Sequence, residues 1–164
     1  MRTTEMKRAL VGAAIAALAF NASAAQAATT TATAKARILA PLTIANTSDL
    51  DFGTIVSGTG ASTVAVSSAG AVSCGTGLTC LGTTSAANFN LGGTSGANVT
   101  SSVPGSVNLT SGANSMTATL ASSASSLTLG ASGGSFQVGG TLSVGANQAA
   151  GSYTGTFTVT ANYQ

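Results

Sequence analysis

Apolar and polar residues alternate with a period of two along most of the chain after residue 28. The clearest run ends the chain, where Tyr153, Phe157, Val159 and Tyr163 each have polar neighbours on both sides. A period of two places every second side chain on one face of a β-strand, so this run predicts a half-buried strand. Shorter alternating runs lie at residues 50–52, 64–66, 89–91, 107–109, 116–120, 127–129 and 136–144.

The chain after Phe20 shows no sustained apolar spacing of 3.6 residues, and β-branched Thr and Val are frequent, so helices are not expected. Short strands separated by turn residues at roughly 8 to 12 residue spacing are typical of a β-sandwich or barrel. Gly139 and Gly140 interrupt one run, which predicts a bulge or a close backbone approach. The sequence therefore predicts an all-β fold.

The first residues have a different pattern. Arg2, Lys7 and Arg8 precede an uncharged apolar stretch at residues 9–20, and small residues at 22–27 offer A-x-A cleavage sites. This is the pattern of a secretory signal peptide. As a helix the apolar stretch would reach only about 18 Å, against roughly 30 Å for a bilayer core. We expect residues 1–27 to be a cleaved signal helix and the mature chain to be exported with no transmembrane segment.

Charge is nearly absent from the mature chain. Beyond residue 27 the charged side chains are Lys35, Arg37, Asp49 and Asp51. Nucleic-acid binding needs Lys and Arg to displace counterions from phosphates, and an anionic membrane surface attracts basic clusters. Both partner classes are therefore excluded. The hydrophobic content of 44% argues for a folded chain, because disordered chains combine low hydrophobicity with high net charge.

Groups for acid–base chemistry are also missing. The chain has no His, and its one Glu, Glu5, lies in the expected signal peptide. Residues 130–134 match the G-x-S-x-G pattern around Ser132, but a nucleophilic Ser needs a base to take its proton. We predict a protein that is not an enzyme and has no catalytic residue, cofactor or metal site.

Asp49 and Asp51 are the remaining candidates for chemistry. Two residues apart on a strand, they lie roughly 6.6 Å from each other, which overlaps the carboxylate separations of glycosidases. Their neighbours Leu50 and Phe52 are expected to point into the core, so both carboxylates should face solvent. We interpret them as surface residues.

Cys74 and Cys80 bracket a short Gly- and Thr-rich segment. Export places them in an oxidising compartment, so we predict a disulfide between them. Closing so small a loop contributes about 2 kcal/mol in the chain-entropy model. Zinc is a poor alternative, because a structural site wants four ligands and the chain offers these two thiols and no His.

Three segments of the sequence resemble segments of known protein families. Residues 50–55 (LDFGTI) resemble an element near the start of spore-coat U-like and archaic chaperone–usher pilin subunits, and residues 150–164 resemble the final strand of chaperone–usher pilins. The whole mature chain also resembles a family of small exported proteobacterial domains of unknown function. Residues 139–142 and the turn at 150–153 carry this resemblance.

The resemblance implies a single immunoglobulin-like, pilin-like antiparallel β-sandwich that lacks one strand. An N-terminal extension of the next subunit would fill the gap, with a periplasmic chaperone and an outer-membrane usher as partners. This chain departs from the archaic pattern at one point. A Cys usually follows the donor segment there, whereas this chain has Pro41 and Leu42, and it supplies Cys80 close to Cys74.

Residues 28–44 have the alternation that a donor strand requires, and residues 45–164 would form the sandwich domain. The apolar face of residues 28–44 carries the proposed partner-binding residues Ala32, Ala34, Ala36 and Ile38, and it continues through Ala40, Leu42 and Ile44. Lys35 and Arg37 occupy the opposite face and must look outward, because burying an unpaired charge is costly. The period specifies a face, but an internal first strand would show the same pattern.

The sequence therefore favours a structural subunit of a pilus-like surface fibre, assembled by β-strand complementation and located in the periplasm and then at the cell surface. The main alternative is a self-complete secreted β-sandwich that acts as a binding module or coat protein through its loops. An ice-binding protein is a third possibility, since rows of Thr and Ala can form flat faces, but a regular Thr-x-Thr repeat is absent.

Overall fold

The alternating pattern becomes a set of short antiparallel strands in the structure, a computed structural model that describes residues 26–164. The predicted signal peptide, residues 1–27, lies outside the described residues except for its last two positions. Residues 26–36 are exposed and belong to no helix or strand. All strands lie in a compact unit formed by Arg37–Gln164.

That unit contains twelve strands and, within the described residues, no helix, so the all-β prediction is confirmed. The strands are β1 (Thr43–Ser48), β2 (Thr54–Val56), β3 (Ser62–Val66), β4 (Val72–Cys74), β5 (Thr79–Leu81), β6 (Ala87–Gly92), β7 (Asn98–Ser102), β8 (Ser106–Ser111), β9 (Asn114–Ser122), β10 (Ser126–Thr128), β11 (Gly134–Val144) and β12 (Thr160–Tyr163).

The larger layer is a seven-stranded sheet in the order β1-β6-β11-β3-β4, with β8 attached to β9 and β9 to β11. The long strand β11 organises it. Its first half pairs with β6, where Phe136 lies opposite Phe89, and its second half pairs with β3 and β9. At the junction, a Cβ on Gly139 would collide with the backbone of Val66, and one on Gly140 would lie 2.9 Å from the Thr119 carbonyl oxygen. The predicted close backbone approach is therefore confirmed.

The second layer consists of two separate pieces, a three-stranded sheet β10-β7-β12 and a two-stranded sheet β2-β5. Together the layers form a β-sandwich. One buried cluster contains Phe89, Val99, Leu129, Phe136 and Val138, with Ala87 and Leu91. The second contains Phe52, Val64, Val66, Leu142 and Val144, with Ala118.

Alternation explains which side chains enter this core. Phe89 in β6 and Phe136 in β11 face inward from neighbouring strands, and their rings stack with centroids 5.3 Å apart. Such a pair stabilises the fold by about 0.5–1.5 kcal/mol beyond its burial. Leu50 and Phe52 also pack into the core as expected, while Asp49 and Asp51 beside them are exposed.

Candidate functional site: an open strand-binding groove

The second layer is interrupted between its two pieces. β12 is the end strand of one sheet, and β2 pairs only with β5 among the described strands. A groove with a volume of about 710 Å³ lies between residues 50–57, which include β2, and residues 148–153, which lead towards β12. We call this feature the groove.

The floor of the groove is apolar. It is formed by Leu109 of β8, Met116 of β9, and Leu142 and Val144 of β11. Leu142 and Val144 are buried, whereas Leu109 and Met116 are only half-buried. The inner face of the large sheet is therefore left partly uncovered where the second layer has its gap.

One end of the groove is closed by hydrogen bonds between its walls. The Ser57 hydroxyl donates to the Gln148 carbonyl oxygen at 3.1 Å, and the Asn147 amide donates to the Gly58 carbonyl oxygen at 2.8 Å. Asn147 takes a left-handed conformation with φ of 49°, which Asn tolerates better than most residues.

The chain beyond the groove contains an unpaired stretch. Thr154 and Thr110 exchange backbone hydrogen bonds of 2.9 and 3.1 Å, and β12 pairs with β7, but residues 155–159 have no strand partner among the described residues. Phe157 and Val159 of this stretch are half-buried against the core. The alternation predicted for residues 153–163 is thus visible in burial, while the ladder covers only part of it. Unpaired backbone groups at a strand edge are a template for another strand.

The predicted partner-binding residues lie outside this ladder. Ala32, Ala34, Ala36 and Ile38 are exposed, and Ile38 has 94% of its surface accessible. Lys35 and Arg37 on the opposite face are exposed as well. The first strand of the described chain begins at Thr43, so residues 28–38, which we call the extension, form no internal first strand here. Their insertion into a groove of another copy stays a prediction.

The root of the extension is held by three hydrogen bonds that we call the clasp. The Ala40 amide donates to Thr94 Oγ1 at 2.7 Å, and the Tyr163 hydroxyl donates to the Ala40 carbonyl oxygen at 2.8 Å. The same hydroxyl accepts a hydrogen bond of 2.9 Å from the Thr94 amide. Gly93 leaves room for it, since a Cβ there would collide with the hydroxyl. No local pattern could reveal these contacts, because Ala40 and Tyr163 lie 123 residues apart.

The disulfide prediction is confirmed. Cys74 in β4 and Cys80 in β5 are bonded, with their Cα atoms 6.0 Å apart. β4 is the edge of the large sheet and β5 the partner of β2, so the bond ties one layer to the piece of the other that forms a wall of the groove. Cys80 also packs beside the cluster that contains Val64 and Leu142.

Of the residues considered for chemistry, Asp51 lines the groove, whereas Asp49 and Ser132 do not belong to its lining. Ser132 is exposed in a turn between β10 and β11, where Gly130 and Gly133 bond through their backbones. The Asp49 carboxylate accepts a hydrogen bond of 2.7 Å from the side-chain amide of Asn46, and the Asp51 carboxylate accepts one of 2.8 Å from the backbone amide of Gly53. Residues 26–164 contain no cluster of three metal-ligating side chains. The expectation of a non-enzymatic protein stays a prediction.

Within residues 26–164, no helix has the length and hydrophobicity needed to cross a membrane.

Comparison with known proteins gives a family and no closer relative. No curated protein and no solved structure matches the chain. One family model, described as Domain of unknown function (DUF4402), matches residues 42–163, which include every strand and the entire groove. Because this match covers most of the chain, the protein belongs to the DUF4402 family of domains of unknown function.

Proposed function

We propose that the protein is a structural subunit of a bacterial surface fibre, in which the extension of one copy fills the groove of the next. The observation that carries the proposal is the groove itself: its apolar floor is partly uncovered, and β2 in its wall keeps one edge unpaired among the described strands, while the same chain carries an exposed alternating segment. An added strand gains main-chain hydrogen bonds along such an edge, and its alternate side chains enter the apolar floor.

The length of the extension suits the groove. Residues 28–38 span about 36 Å when extended, at roughly 3.3 Å per residue. The wall at residues 50–57 spans at most about 26 Å at the same rise. The extension can therefore provide a strand as long as the wall. Its remaining residues would connect one copy to the next.

The faces of the extension suit the groove too. Ala32, Ala34, Ala36 and Ile38 would lie on the floor, where Leu109 and Met116 remain half-buried. Lys35 and Arg37 would then face solvent, which avoids the cost of burying a charge without a partner. The small Ala side chains let the added backbone approach closely.

The proposal includes export and handling by partner proteins. A subunit with an apolar groove exposes surface that favours non-specific association before assembly. A periplasmic chaperone that covers the groove and an outer-membrane usher that delivers the subunit would meet this need. We place the assembled protein at the cell surface, without a cofactor and without catalysis.

The proposal is tested by binding of a peptide with the sequence of residues 28–40 to a variant that lacks residues 28–36 and retains the compact unit Arg37–Gln164. We expect saturable binding by calorimetry. A peptide with Ile38→Asp should bind at least about tenfold more weakly, because it brings a carboxylate onto an apolar floor. A matched peptide with Thr33→Asp adds the same charge to the opposite face and should bind like the wild type.

Two results would overturn the proposal. One is the absence of binding together with a full chain that stays monomeric at every concentration in light scattering, which would favour the self-complete binding module. The other is equal weakening by Ile38→Asp and Thr33→Asp, because that result would mean that charge and not a specific face determines the interaction.

A further inference from the structure

We propose that Asp51 of one copy forms an ion pair with Arg37 in the extension of another copy, and that this pair sets the direction and register of the added strand. The inference rests on the proposed function of the groove and names the residue that recognises the incoming strand. Three features support it: the open backbone edge at residues 50–52, the placement of the charges, and the faces of the two segments.

Residues 50–52 continue the open edge of the wall beyond β2. The Asp51 amide donates to the Ser85 carbonyl oxygen at 2.9 Å, and the Ser85 amide donates to the Asp51 carbonyl oxygen at 3.1 Å. Successive residues of an extended chain direct their backbone groups to opposite sides, so those of Leu50 and Phe52 point away from Ser85. Leu50 and Phe52 line the groove and Ser85 does not, so the groove lies on that side.

The backbone groups on that side have no partner. Among residues 26–164, neither Leu50 nor Phe52 forms a backbone hydrogen bond. Phe52 is buried, and the backbone groups of buried residues are nearly always paired in folded proteins. A strand laid along residues 50–52 would supply the missing partners.

The charges of the chain are placed so that the two segments complement each other. Beyond residue 27 the acidic side chains are Asp49 and Asp51, at the start of the wall, and the basic ones are Lys35 and Arg37, near the end of the extension. Asp51 is the charged residue in the lining of the groove. Its Oδ1 accepts the hydrogen bond from Gly53, so its second oxygen is available for a guanidinium group.

This placement determines the direction of the added strand. Arg37 can lie beside Asp51 while the rest of the extension follows the wall only if the two segments are antiparallel. In a parallel arrangement, with residue 38 beside residue 57, both cations would lie beside β2, where the lining has no acidic side chain. Antiparallel pairing is also slightly more stable per residue.

The faces of the two segments determine the register. Residues directly opposite each other in an antiparallel pair share a face. With Arg37 opposite Asp51, Ile38 lies opposite Leu50 and Ala36 opposite Phe52, so inward side chains meet inward side chains. A shift by two residues would bring Lys35 to Asp51 and keep the faces, but it would leave Ile38 beyond the lining of the groove. The register with Arg37 is therefore favoured, because it buries the largest apolar side chain of the extension.

Gly53 allows the same register to continue into β2. The inward side chains of Phe52 and Ile55 are three residues apart, one more than regular alternation provides. Gly53 lies between them with a φ of 74°, the conformation in which a glycine accommodates an extra residue as a bulge. With that bulge, Ala34 lies opposite Ile55, again with both side chains inward.

The experiment titrates the peptide of residues 28–40 into the variant that lacks residues 28–36, by calorimetry at physiological salt. Asp51→Asn keeps an acceptor for the Gly53 amide and should weaken binding about two- to fivefold, as the loss of an exposed ion pair does. A peptide with Arg37→Gln should bind the wild-type groove equally weakly. Combining the two changes should weaken binding no further, because both remove the same interaction.

Asp49→Asn is the matched control. It removes the same charge two residues away, outside the lining of the groove, and should bind the peptide like the wild type. A peptide with Lys35→Gln should show no coupling to Asp51→Asn. In a charge exchange, Asp51→Arg should bind the Arg37→Asp peptide more tightly than the wild-type peptide. A thermal unfolding curve for each variant shows that the folded unit is intact.

A second measurement reports the direction without relying on affinity. A spin label at the N-terminus of the bound peptide should broaden the amide signals of Ser57 and Gln148 more than that of Asp51. A label at the C-terminus should have the opposite effect. The reverse order would show parallel insertion and would overturn the inference.

The other outcomes separate this inference from the proposed function. Binding that is weakened equally by Asp51→Asn and Asp49→Asn, or that couples Asp51 to Lys35 and not to Arg37, would overturn the ion pair and its register while the groove remains the strand-binding site. No binding of the wild-type peptide to the wild-type groove would overturn the proposed function and this inference together.

Discussion

The two halves of the sandwich share the same alternating pattern of apolar and polar residues, but the second layer covers their core clusters differently. In the half that we call the closed half, the cluster around Phe89 and Phe136 lies beneath the continuous sheet β10-β7-β12. In the open half, the cluster around Phe52, Val64 and Leu142 lies beneath β2 and β5 alone, and the groove runs beside them. The difference lies in the number of strands in the second layer.

The exposure of individual side chains shows that difference. Phe136 is 0% exposed in the closed half and Val64 is equally buried in the open half, so both have a true core. Leu109 and Met116 nevertheless stay half-buried on the floor of the groove, although they alternate with polar residues as regularly as the residues of the closed half. Among the described residues, the floor side chains of the open half are thus covered by fewer strands of the second layer than the core of the closed half.

The largest effect is expected in the closed half, from Phe136→Ala. The substitution removes a fully buried ring and its stacking on Phe89, so the free energy of unfolding should fall by about 3–5 kcal/mol. Urea denaturation followed by circular dichroism measures it. As a control, Phe157→Ala removes a half-buried ring from the unpaired stretch and should cost clearly less. Equal losses would show that the unpaired stretch is as firmly packed as the core.

An intermediate effect is expected from the disulfide. The double variant Cys74→Ala/Cys80→Ala should lose about 2 kcal/mol of unfolding free energy, as the chain-entropy model gives for a small loop. Because the bond ties β4 to β5, the loss of hydrogen-exchange protection should concentrate in β2 and β5, in the open half. Reduction of the wild type should give the same map. Protection lost equally from β7 and β12 would contradict the separation into halves.

The smallest effect on stability is expected on the floor of the groove. Leu109→Ala should cost the isolated unit about 1 kcal/mol, since the side chain is already half exposed and loses only part of its transfer free energy. Leu127→Ala is the matched variant in the closed half, where Leu127 is half-buried too. Calorimetry should show weaker binding of the peptide of residues 28–40 by Leu109→Ala alone. Weakening by both would mean that the groove is not the binding site.

Local features of the sequence anticipated several parts of this fold. The alternation predicted the all-β class, the inward direction of Leu50 and Phe52, and the half-buried face of residues 153–163, because side-chain direction follows from strand geometry alone. Gly139 and Gly140 marked the close approach in β11, since only Gly permits backbones to come so near. The disulfide could be predicted because Cys74 and Cys80 are the two cysteines of the chain.

The groove and the clasp were decided only by the tertiary structure. Period two states which face of a strand is buried but carries no information on which strand lies beside it, so it could not be foreseen that residues 155–159 have no strand partner among residues 26–164. The clasp joins Ala40 and Thr94 to Tyr163 across the length of the chain. The sequence by itself determined the strands and their faces, because these depend on near neighbours. The gap in the second layer depended on distant pairings, which arise only when the whole chain has packed.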